Sequence, residues 1–323
     1  MIMTPEFDLI AKYFTRPVAR ASLGIGDDCA LIRVTDGCEL AISTDTLVSG
    51  THFFTDAEPF KLGHKALAVN LSDLAAMGAA PRYVTLALTL PAVDAVWLDA
   101  FSRGFFKLAE EAGVELIGGD TTRGPLAMTL TVFGEVPAGK ALQRHGARAG
   151  DDVWASGSLG GAALALRHLQ GVVQLNPVVL ERALERLHTP VPRNALGCAL
   201  RELAGVHSAI DISDGLIADL THICERSGLA AVVEWPSVPL SPTLLSVGPE
   251  WRVPCALAGG DDYELCFTAD AARRRDIEAV AFSSGVALSR MGQMQAGNPK
   301  VTVRDERGAP INVAVAGFDH FPA

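Results

Sequence analysis

Strand-like and helix-like patterns alternate along the whole chain and fall into two groups on either side of residues 137–151. In the first group, alternating apolar and β-branched residues predict strands at residues 39–43, 83–90, 114–117 and 128–136. The apolar period of a helix is found at residues 6–13, 59–77 and 95–112. In the second group, the same criteria predict strands at residues 153–155, 209–212, 231–234, 263–268 and 288–291. They predict helices at residues 162–170, 179–187, 194–204 and 271–282, with a further helix beginning near residue 215. Both groups mix the two kinds of element, so the predicted fold class is α/β (α+β).

The segment between the two groups, residues 137–151, is short, basic and punctuated by glycines, as is typical of a linker. A chain of 323 residues is long enough for two domains of ordinary size. We therefore predict an N-terminal domain over residues 1–137 and a C-terminal α/β domain over residues 150–323.

The composition is that of an acidic globular protein. Apolar residues make up 49% of the chain and charged residues 20%. The formal net charge is -10, whereas nucleic-acid-binding proteins normally carry a basic face, so no nucleic-acid partner is expected. No apolar stretch approaches the roughly 20 residues that cross a bilayer, and the first residues lack a signal-peptide pattern. We therefore expect a cytoplasmic protein without a membrane partner.

Aspartates recur in short motifs rich in glycine or serine that lie far apart in the sequence. These motifs are Gly-Ile-Gly-Asp27-Asp28, Ser43-Thr44-Asp45, Asn70-Leu-Ser-Asp73, Gly118-Gly119-Asp120, Asp211-Ile-Ser213-Asp214-Gly215 and Gly259-Gly260-Asp261-Asp262. If they converge in the fold, so many carboxylates cannot all ionise in one cleft without a strong cation. Mg²⁺ suits such a site, because it binds a few carboxylates together with water and substrate phosphates. The motifs therefore predict nucleotide-dependent phosphoryl transfer.

Several of these motifs also have simpler interpretations. Asn70 and Asp73 are three residues apart on a predicted helix and share a face, which could be either a binding face or a helix edge in solvent. The pair Asp27 and Asp28 could form a simple turn. The segment 43–45, at a predicted strand end, could be a loop or a helix cap. The argument depends on the number of such sites, because loops at strand ends are where α/β folds build ligand sites.

The motif at residues 211–215 is more specific, because two acids and a hydroxyl lie where a strand is followed by a helix. Free backbone N–H groups at such a junction favour an anion, and the carboxylates can hold its metal; capping of the helix by Ser213 or Asp214 is the alternative. No GxxxxGK[ST] loop, kinase catalytic-loop motif or complete dinucleotide motif is present. Nucleotide phosphates would then be held by metals, backbone and a few basic groups such as Arg144. His52 is either an ordinary histidine or a contact to a substrate phosphate.

Together, the motifs closely resemble those of the thiamine-monophosphate kinases. The matching segments are Gly24-Ile-Gly-Asp-Asp-Cys-Ala, Ser43-Thr-Asp-Thr-Leu-Val, Lys65-Ala-Leu-Ala-Val-Asn-Leu-Ser-Asp-Leu-Ala-Ala-Met-Gly, Gly118-Gly-Asp-Thr-Thr-Arg-Gly, Asp211-Ile-Ser-Asp-Gly-Leu and Gly259-Gly-Asp-Asp-Tyr-Glu-Leu-Cys-Phe. The resemblance covers essentially the whole chain. It implies Mg²⁺-dependent transfer of phosphate from ATP to thiamine monophosphate, which gives thiamine diphosphate. It also implies the two-domain aminoimidazole ribonucleotide synthase-like fold and a homodimer in which the sheets of the N-terminal halves pair. ATP would bind near that interface, and the C-terminal domain would complete the active site.

The resemblance further implies roles for individual residues. The implied metal ligands are Asp28, Ser43, Thr44, Asp45, Asp73, Asp120, Asp211 and Asp214. Of these, the implied catalytic acids are Asp73, Asp120, Asp211 and Asp214. The implied ATP contacts are Gly119, Asp120, Arg144 and Ser213. The implied substrate contacts are His52, Asp261 and Phe318.

Three positions depart from what the family often shows. Asp261 stands where glutamate is frequent, Arg103 stands where an aromatic would help to hold the nucleotide, and Phe318 has a ring without a hydroxyl. Two alternatives also stay open. The first is another enzyme of the superfamily, which would make an aminoimidazole or activate selenium; Cys29 lies near a Gly-rich loop, but its surroundings match the thiamine kinases better. The second is a non-catalytic nucleotide- or metal-binding regulator, which could lose metal acids that this chain retains.

Overall fold

The computed structural model describes residues 5–313, which form two compact units. The first unit comprises the chain up to Leu74 together with Ala79–Gly139. The second comprises Ala75–Gly78 and the chain from Lys140 onward. Phe318 lies outside the described residues. Within residues 5–313, no helix has both the length and the apolar character needed to cross a membrane.

Over its described residues, the first unit combines three helices with a four-stranded sheet. Its elements are α1 (Pro5–Tyr13), β1 (Cys38–Val48), α2 (Pro59–Ala76), β2 (Ala80–Leu90), α3 (Ala95–Ala112), β3 (Glu115–Arg123) and β4 (Ala127–Pro137). The strand order is β1-β4-β2-β3. β4 is antiparallel to both β1 and β2, while β3 runs parallel to β2 along one edge. Both edge strands, β1 and β3, carry predicted ligands.

Side chains alternate between the two faces of this sheet. Leu88, Met128 and Leu130 are fully buried or nearly so on one face, which α2 covers. The other face is more exposed and rich in threonine, with hydroxyl pairs between Thr44 and Thr131 at 2.9 Å and between Thr46 and Thr129 at 2.8 Å. The faces therefore differ in chemistry, and the position of a residue along its strand decides which one it joins.

Two glycines allow α2 and α3 to pack at close range. A Cβ atom at Gly104 would lie 1.8 Å from the carbonyl oxygen of Phe60, and one at Gly63 would lie 2.1 Å from that of Phe101. No other residue type fits at such a separation between backbones. These glycines therefore fix how closely the two helices approach.

The second unit contains seven helices and a six-stranded sheet within the described residues. Its helices are α4 (Gly161–Leu169), α5 (Pro177–His188), α6 (Asn194–Glu202), α7 (Leu216–Ser227), α8 (Pro242–Leu245), α9 (Arg252–Ala256) and α10 (Arg274–Ser284). Its strands are β5 (Asp152–Ser156), β6 (Val206–Ile212), β7 (Ala230–Glu234), β8 (Glu264–Ala269), β9 (Leu288–Gln295) and β10 (Lys300–Arg304). The order is β10-β7-β9-β5-β8-β6, and all neighbours are antiparallel except β10 and β7.

Apolar clusters form the core of the second unit. One includes Ile212, Leu216 and Leu220, at the end of β6 and the start of α7. Another contains Trp154 and Phe267, whose rings stack with centroids 6.2 Å apart. Nearly all neighbouring strands are antiparallel, so the sheet differs from the parallel α/β sheets in which strand-end ligand sites are usual.

The α/β class is confirmed, and some element bounds were wrong. β1 continues to Val48 instead of ending at Ser43, and β3 continues to Arg123 instead of ending at Ile117. In both strands the extra residues are mainly polar and exposed or half-exposed, but they pair in register with a neighbouring strand. β10 and the short helices α8 and α9 were not predicted. Their sequences are short and carry no clear period.

Candidate active site

In the first unit, β1 and α2 bring four predicted polar residues together. Ser43 and Asp45 lie on the face of β1 that α2 covers. The Ser43 hydroxyl donates to Asp73 Oδ2 at 2.5 Å, and the backbone N–H of Asp45 donates to Asn70 Oδ1 at 3.2 Å. The Asn70 amide in turn donates to the carbonyl of Ala66 at 3.0 Å. This cluster of polar side chains, whose oxygen atoms could serve as metal ligands, brings together two motifs that are far apart in sequence.

The burial of Asn70 decides between the two interpretations of its motif. Its relative exposure is 0%, so the alternative of a helix edge in solvent is wrong. A buried amide needs partners, and here it accepts from β1 and donates within α2. Asn70 therefore fixes the α2 face that carries Asp73 against β1, a role that sequence reasoning did not give it.

The segment 43–45 is neither a loop nor a cap, because it lies inside β1. The alternation of the strand turns Thr44 to the open face, where its hydroxyl pairs with that of Thr131. Ser43 and Asp45 face the other way, toward α2. The structure therefore does not bring the Thr44 hydroxyl together with Ser43, Asp45 and Asp73.

Asp120 also lies within a strand, on the opposite edge of the sheet. It pairs with Ala87, which pairs with Thr129, which in turn pairs with Thr46 of β1. Asp120 is thus exposed on the open face, roughly 14 Å from β1 at about 4.8 Å per strand. Beside it, a Cβ atom at Gly119 would lie 1.9 Å from the carbonyl oxygen of Leu86. Only glycine permits β3 to pair with β2 here.

Two other predicted residues of this unit lie in turns. Asp28 is exposed, and its backbone N–H donates to Asp27 Oδ1 at 2.8 Å, as in the turn considered for this pair. His52 closes the turn after β1, because its Nδ1 accepts from the N–H of Val48 at 2.9 Å. In a neutral His52 the proton is consequently on Nε2, which is then a donor.

In the second unit, the motif at residues 211–215 lies at the junction of β6 and α7, as predicted. The helix cap is Gly215, and it makes no side-chain capping bond, so capping by Ser213 or Asp214 is wrong. The N–H groups of Ser213, Asp214 and Gly215 instead donate to Asp219 Oδ2 at 3.0 to 3.1 Å. The group that accepts from the N–H groups at this junction is thus a side chain of the chain itself.

Sequence reasoning missed Asp219, which lies near two predicted ligands. The pKa of Asp219 is raised to about 7, because burial and then the negative charges of Asp211 and Asp214 raise it more than hydrogen bonds from the backbone lower it. Three carboxylates therefore share one small region of the unit. Asp219 follows Gly215 by four residues, one helical turn, and this spacing after a strand-to-helix junction was the only available signal.

Asp261 lies in a turn that crosses the end of β6. Its N–H donates to the carbonyl of Ser213 at 2.8 Å, and its Oδ1 accepts from the Tyr263 hydroxyl at 3.0 Å. A predicted substrate contact and a predicted ATP contact are therefore neighbours. The Arg144 side chain is exposed. Arg103, also exposed, pairs with Asp99 on α3 at 3.0 Å.

Among residues 5–313, no group of three or more His, Cys, Asp or Glu side chains is arranged to hold a metal ion. The chemistry of the donors nevertheless fits Mg²⁺. In each unit they are carboxylate and hydroxyl oxygens, the ligands that hard divalent ions prefer.

Comparison with known proteins defines the class of protein to which this chain belongs. Residues 26–136 match the sequence profile of the family "AIR synthase related protein, N-terminal domain". The chain is 48% identical to the thiamine-monophosphate kinase of Escherichia coli (strain K12), over 98% of each chain. It belongs to the thiamine-monophosphate kinase family.

Solved structures agree with this membership. The crystal structure of thiamine-monophosphate kinase from Stenotrophomonas maltophilia K279a has a TM-score of 0.84 and 46% identity, covering 92% of this chain and 94% of that one. The structure of AaThiL complexed with AMPPCP and TMP has a TM-score of 0.77 and 28% identity, with 93% of each chain covered. The recognition of the family from its motifs is therefore confirmed.

Proposed function

We propose that this protein transfers the γ-phosphoryl group of ATP to thiamine monophosphate, giving ADP and thiamine diphosphate, in a reaction that needs Mg²⁺. This is the last step of thiamine diphosphate biosynthesis. The observation that carries the proposal is the match over 93% of the chain to AaThiL, which was complexed with AMPPCP and TMP. The donor clusters around Asp73 and Asp211 supply the acidic sites that such a reaction needs.

Each unit carries oxygen atoms of its own that suit a metal ion. In the first unit these are Ser43, Asp45 and Asp73, and in the second they are Asp211 and Asp214. The family resemblance assigns Asp28, Thr44 and Asp120 to the same role. When bound, Mg²⁺ neutralises negative charge on the phosphates and so lowers the repulsion between donor and acceptor. The catalytic acids among these residues, Asp73, Asp120, Asp211 and Asp214, act by holding that charge in place.

The remaining roles concern the two substrates. Gly119, Asp120, Arg144 and Ser213 contact ATP, while His52, Asp261 and Phe318 contact thiamine monophosphate. His52 offers an Nε2 donor to a phosphate oxygen, since its Nδ1 accepts from Val48. The ring of Phe318 can stack on the thiazolium cation, a contact worth about 0.5–2 kcal/mol.

The acceptor makes a general base unnecessary. A phosphate monoester has a second pKa of about 6, so the phosphate of thiamine monophosphate is largely dianionic at neutral pH. The task of the protein is to bring two anions into line, and its carboxylates would hold the Mg²⁺ that offsets their charges. Transfer is direct, without a phosphorylated enzyme. The protein works in the cytoplasm, where its six free cysteines remain reduced.

The test is an assay of purified protein with MgATP and thiamine monophosphate, in which both products are quantified by chromatography. We expect equal amounts of ADP and thiamine diphosphate, and no product in the presence of EDTA. ADP without thiamine diphosphate would indicate another acceptor within the superfamily. Binding of MgATP without turnover would instead support a non-catalytic regulator and reject the proposed function.

We also propose a homodimer formed through the open face of the first sheet. This face carries Ile42, which is 58% exposed in the middle of β1, beside the threonine pairs of β1 and β4. An exposed apolar residue among the threonines of β1 and β4 is suited to contact a second copy of the same face.

Replacing Ile42 with Lys should convert the dimer to a monomer, because it places two like charges near the symmetry axis. Light scattering after size-exclusion chromatography measures the mass. Val96→Lys is the matched control, since Val96 is 80% exposed on α3 and lies off this face. Equal masses for the Ile42 variant and the control would rule out this interface.

A further inference from the structure

The turn that carries Asp261 has an unfavourable backbone. Asp261 has a φ of 66° and Tyr263 a φ of 50°, and within residues 5–313 they are the only non-glycine residues with positive φ. L-residues rarely adopt this conformation, and it persists only where the surroundings hold it. Something must therefore hold residues 261–263 in place.

Part of that support comes from neighbouring backbone. The N–H groups of Asp261 and Tyr263 donate to the carbonyls of Ser213 and Ile212, each at 2.8 Å. Between them, both carboxylate oxygens of the buried Asp262 accept from the N–H of Gly160, at 2.9 and 3.0 Å. The turn is thus tied to the end of β6 and to the loop before α4.

The rest of the support is a buried ionic cluster around Glu264, the next residue. Its side chain is 1% exposed and accepts from Arg193 Nε at 2.7 Å and Nη2 at 2.6 Å, and from Arg186 Nη2 at 2.8 Å. The hydroxyl of Ser156 adds a fourth bond at 2.6 Å. Burial alone would raise the pKa of Glu264, but the bonds and charges of Arg193 and Arg186 outweigh it and lower the pKa. The Glu264 carboxylate is therefore ionised, and both of its oxygens accept hydrogen bonds.

The cluster also reaches the loop at residues 157–161. Arg186 Nη2 donates to the carbonyl of Ser158 at 3.3 Å, which links this loop to Glu264. A Cβ atom at Gly157 would lie only 2.0 Å from a carboxylate oxygen of Glu264, so the backbone closes directly over the charge. Glu264 consequently connects β5, α5 and the segment before α6 to the start of β8.

Buried and half-buried side chains alternate along residues 261–264. Asp262 and Glu264 are buried, whereas Asp261 and Tyr263 are half-buried and joined by the Tyr263 hydroxyl. We propose that Glu264, held by Arg186 and Arg193, is a positioning residue that keeps Asp261 in the orientation needed to bind thiamine monophosphate. This inference rests on the proposed function, because that function makes Asp261 a substrate contact.

The same sheet offers a matched control for loss of a buried ion pair. Asp152 begins β5, whereas Ser156 and the Glu264 cluster lie at its other end. Asp152 is 0% exposed and is held by Arg274 at 2.6 and 2.8 Å, with Arg290 at 3.5 Å. Glu264→Gln and Asp152→Asn each remove the charge from a buried carboxylate held by two arginines. Both variants should therefore lose stability to a similar degree.

The experiment compares steady-state kinetics of the two variants with wild type, at a temperature where both are folded by circular dichroism. For Glu264→Gln we expect the KM for thiamine monophosphate to rise by about 10- to 100-fold, because a small misplacement of a positioned group has effects of this size. The KM for ATP should stay within about twofold of wild type. Asp152→Asn should leave both constants near those of wild type. Equal kinetic effects in the two variants would overturn the proposal, and so would a normal KM in Glu264→Gln.

Hydrogen exchange supplies a second readout that does not depend on the reaction. Glu264→Gln should speed exchange of the Asp261 and Tyr263 amides in a peptide covering this turn, while Asp152→Asn should not. Unchanged exchange in Glu264→Gln would refute the positioning role. If wild type fails to phosphorylate thiamine monophosphate but exchange responds as expected, the proposed function is wrong and Glu264 still holds the turn.

Discussion

Replacing Asp73 with Asn is expected to lower kcat for thiamine diphosphate formation by about 100-fold or more at ordinary Mg²⁺ concentrations. Asn has nearly the same size as Asp and can still accept from the Ser43 hydroxyl, so the contact of 2.5 Å between β1 and α2 can be kept. What is lost is one negative charge in the donor cluster of the first unit. The measurement is kcat as a function of Mg²⁺ concentration.

A surface acid provides the control for this substitution. Asp99 is on α3 and pairs with Arg103 in an exposed i,i+4 salt bridge, so Asp99→Asn removes the same charge away from the cluster. Its kcat should match that of wild type. Wild-type kcat in Asp73→Asn at every Mg²⁺ concentration would remove Asp73 from the metal-holding group.

Replacing Gly104 with Ala should destabilise the protein by about 1–3 kcal/mol or more, because the added methyl group meets the backbone of α2. Its Cβ would lie 1.8 Å from the carbonyl oxygen of Phe60, so the two helices must separate. Intrinsic helix propensity predicts the opposite sign, since Ala is favoured over Gly by about 1 kcal/mol in a helix interior. The sign of the change therefore distinguishes close packing from local preference.

Urea-induced unfolding measures this effect as a change in the free energy of unfolding. Lys107→Ala is the matched control on the same helix, because Lys107 is exposed, and its replacement should change the unfolding free energy by less than about 0.5 kcal/mol. A Gly104→Ala variant as stable as wild type would show that α2 and α3 separate without penalty.

Elements with strong local signals were predicted closely, and α3 shows why. It spans Ala95–Ala112 as predicted, because Asp94 accepts from the N–H groups of Val96 and Trp97 and Gly113 ends the helix with a φ of 66°. Such signals lie within a few residues of each other. The lengths of β1 and β3 were underestimated because their polar ends are stabilised by partner strands, which a local pattern does not reveal.

The same distinction applies to the site. The shared face of Asn70 and Asp73 follows from helical spacing and was predicted, whereas its partner strand required the fold. Two important acids were missed. Asp219 is identified only by the backbone N–H groups around it, and Glu264 only by Arg186 and Arg193, which lie 78 and 71 residues away in sequence. Buried charge networks depend on such long-range partners, so a single sequence gives little warning of them.

The pairing of β1 with β4 also has a consequence for the chain during synthesis. Thr44 and its partner Thr131 are 87 residues apart. β1 therefore leaves the ribosome long before β4, the strand that pairs with it. At about 5–20 residues per second, the wait is on the order of 4–17 s. For that interval β1 is an unpaired strand whose backbone groups can bond to another chain. Newly made copies translated in close succession are therefore open to misassembly with one another until β4 emerges.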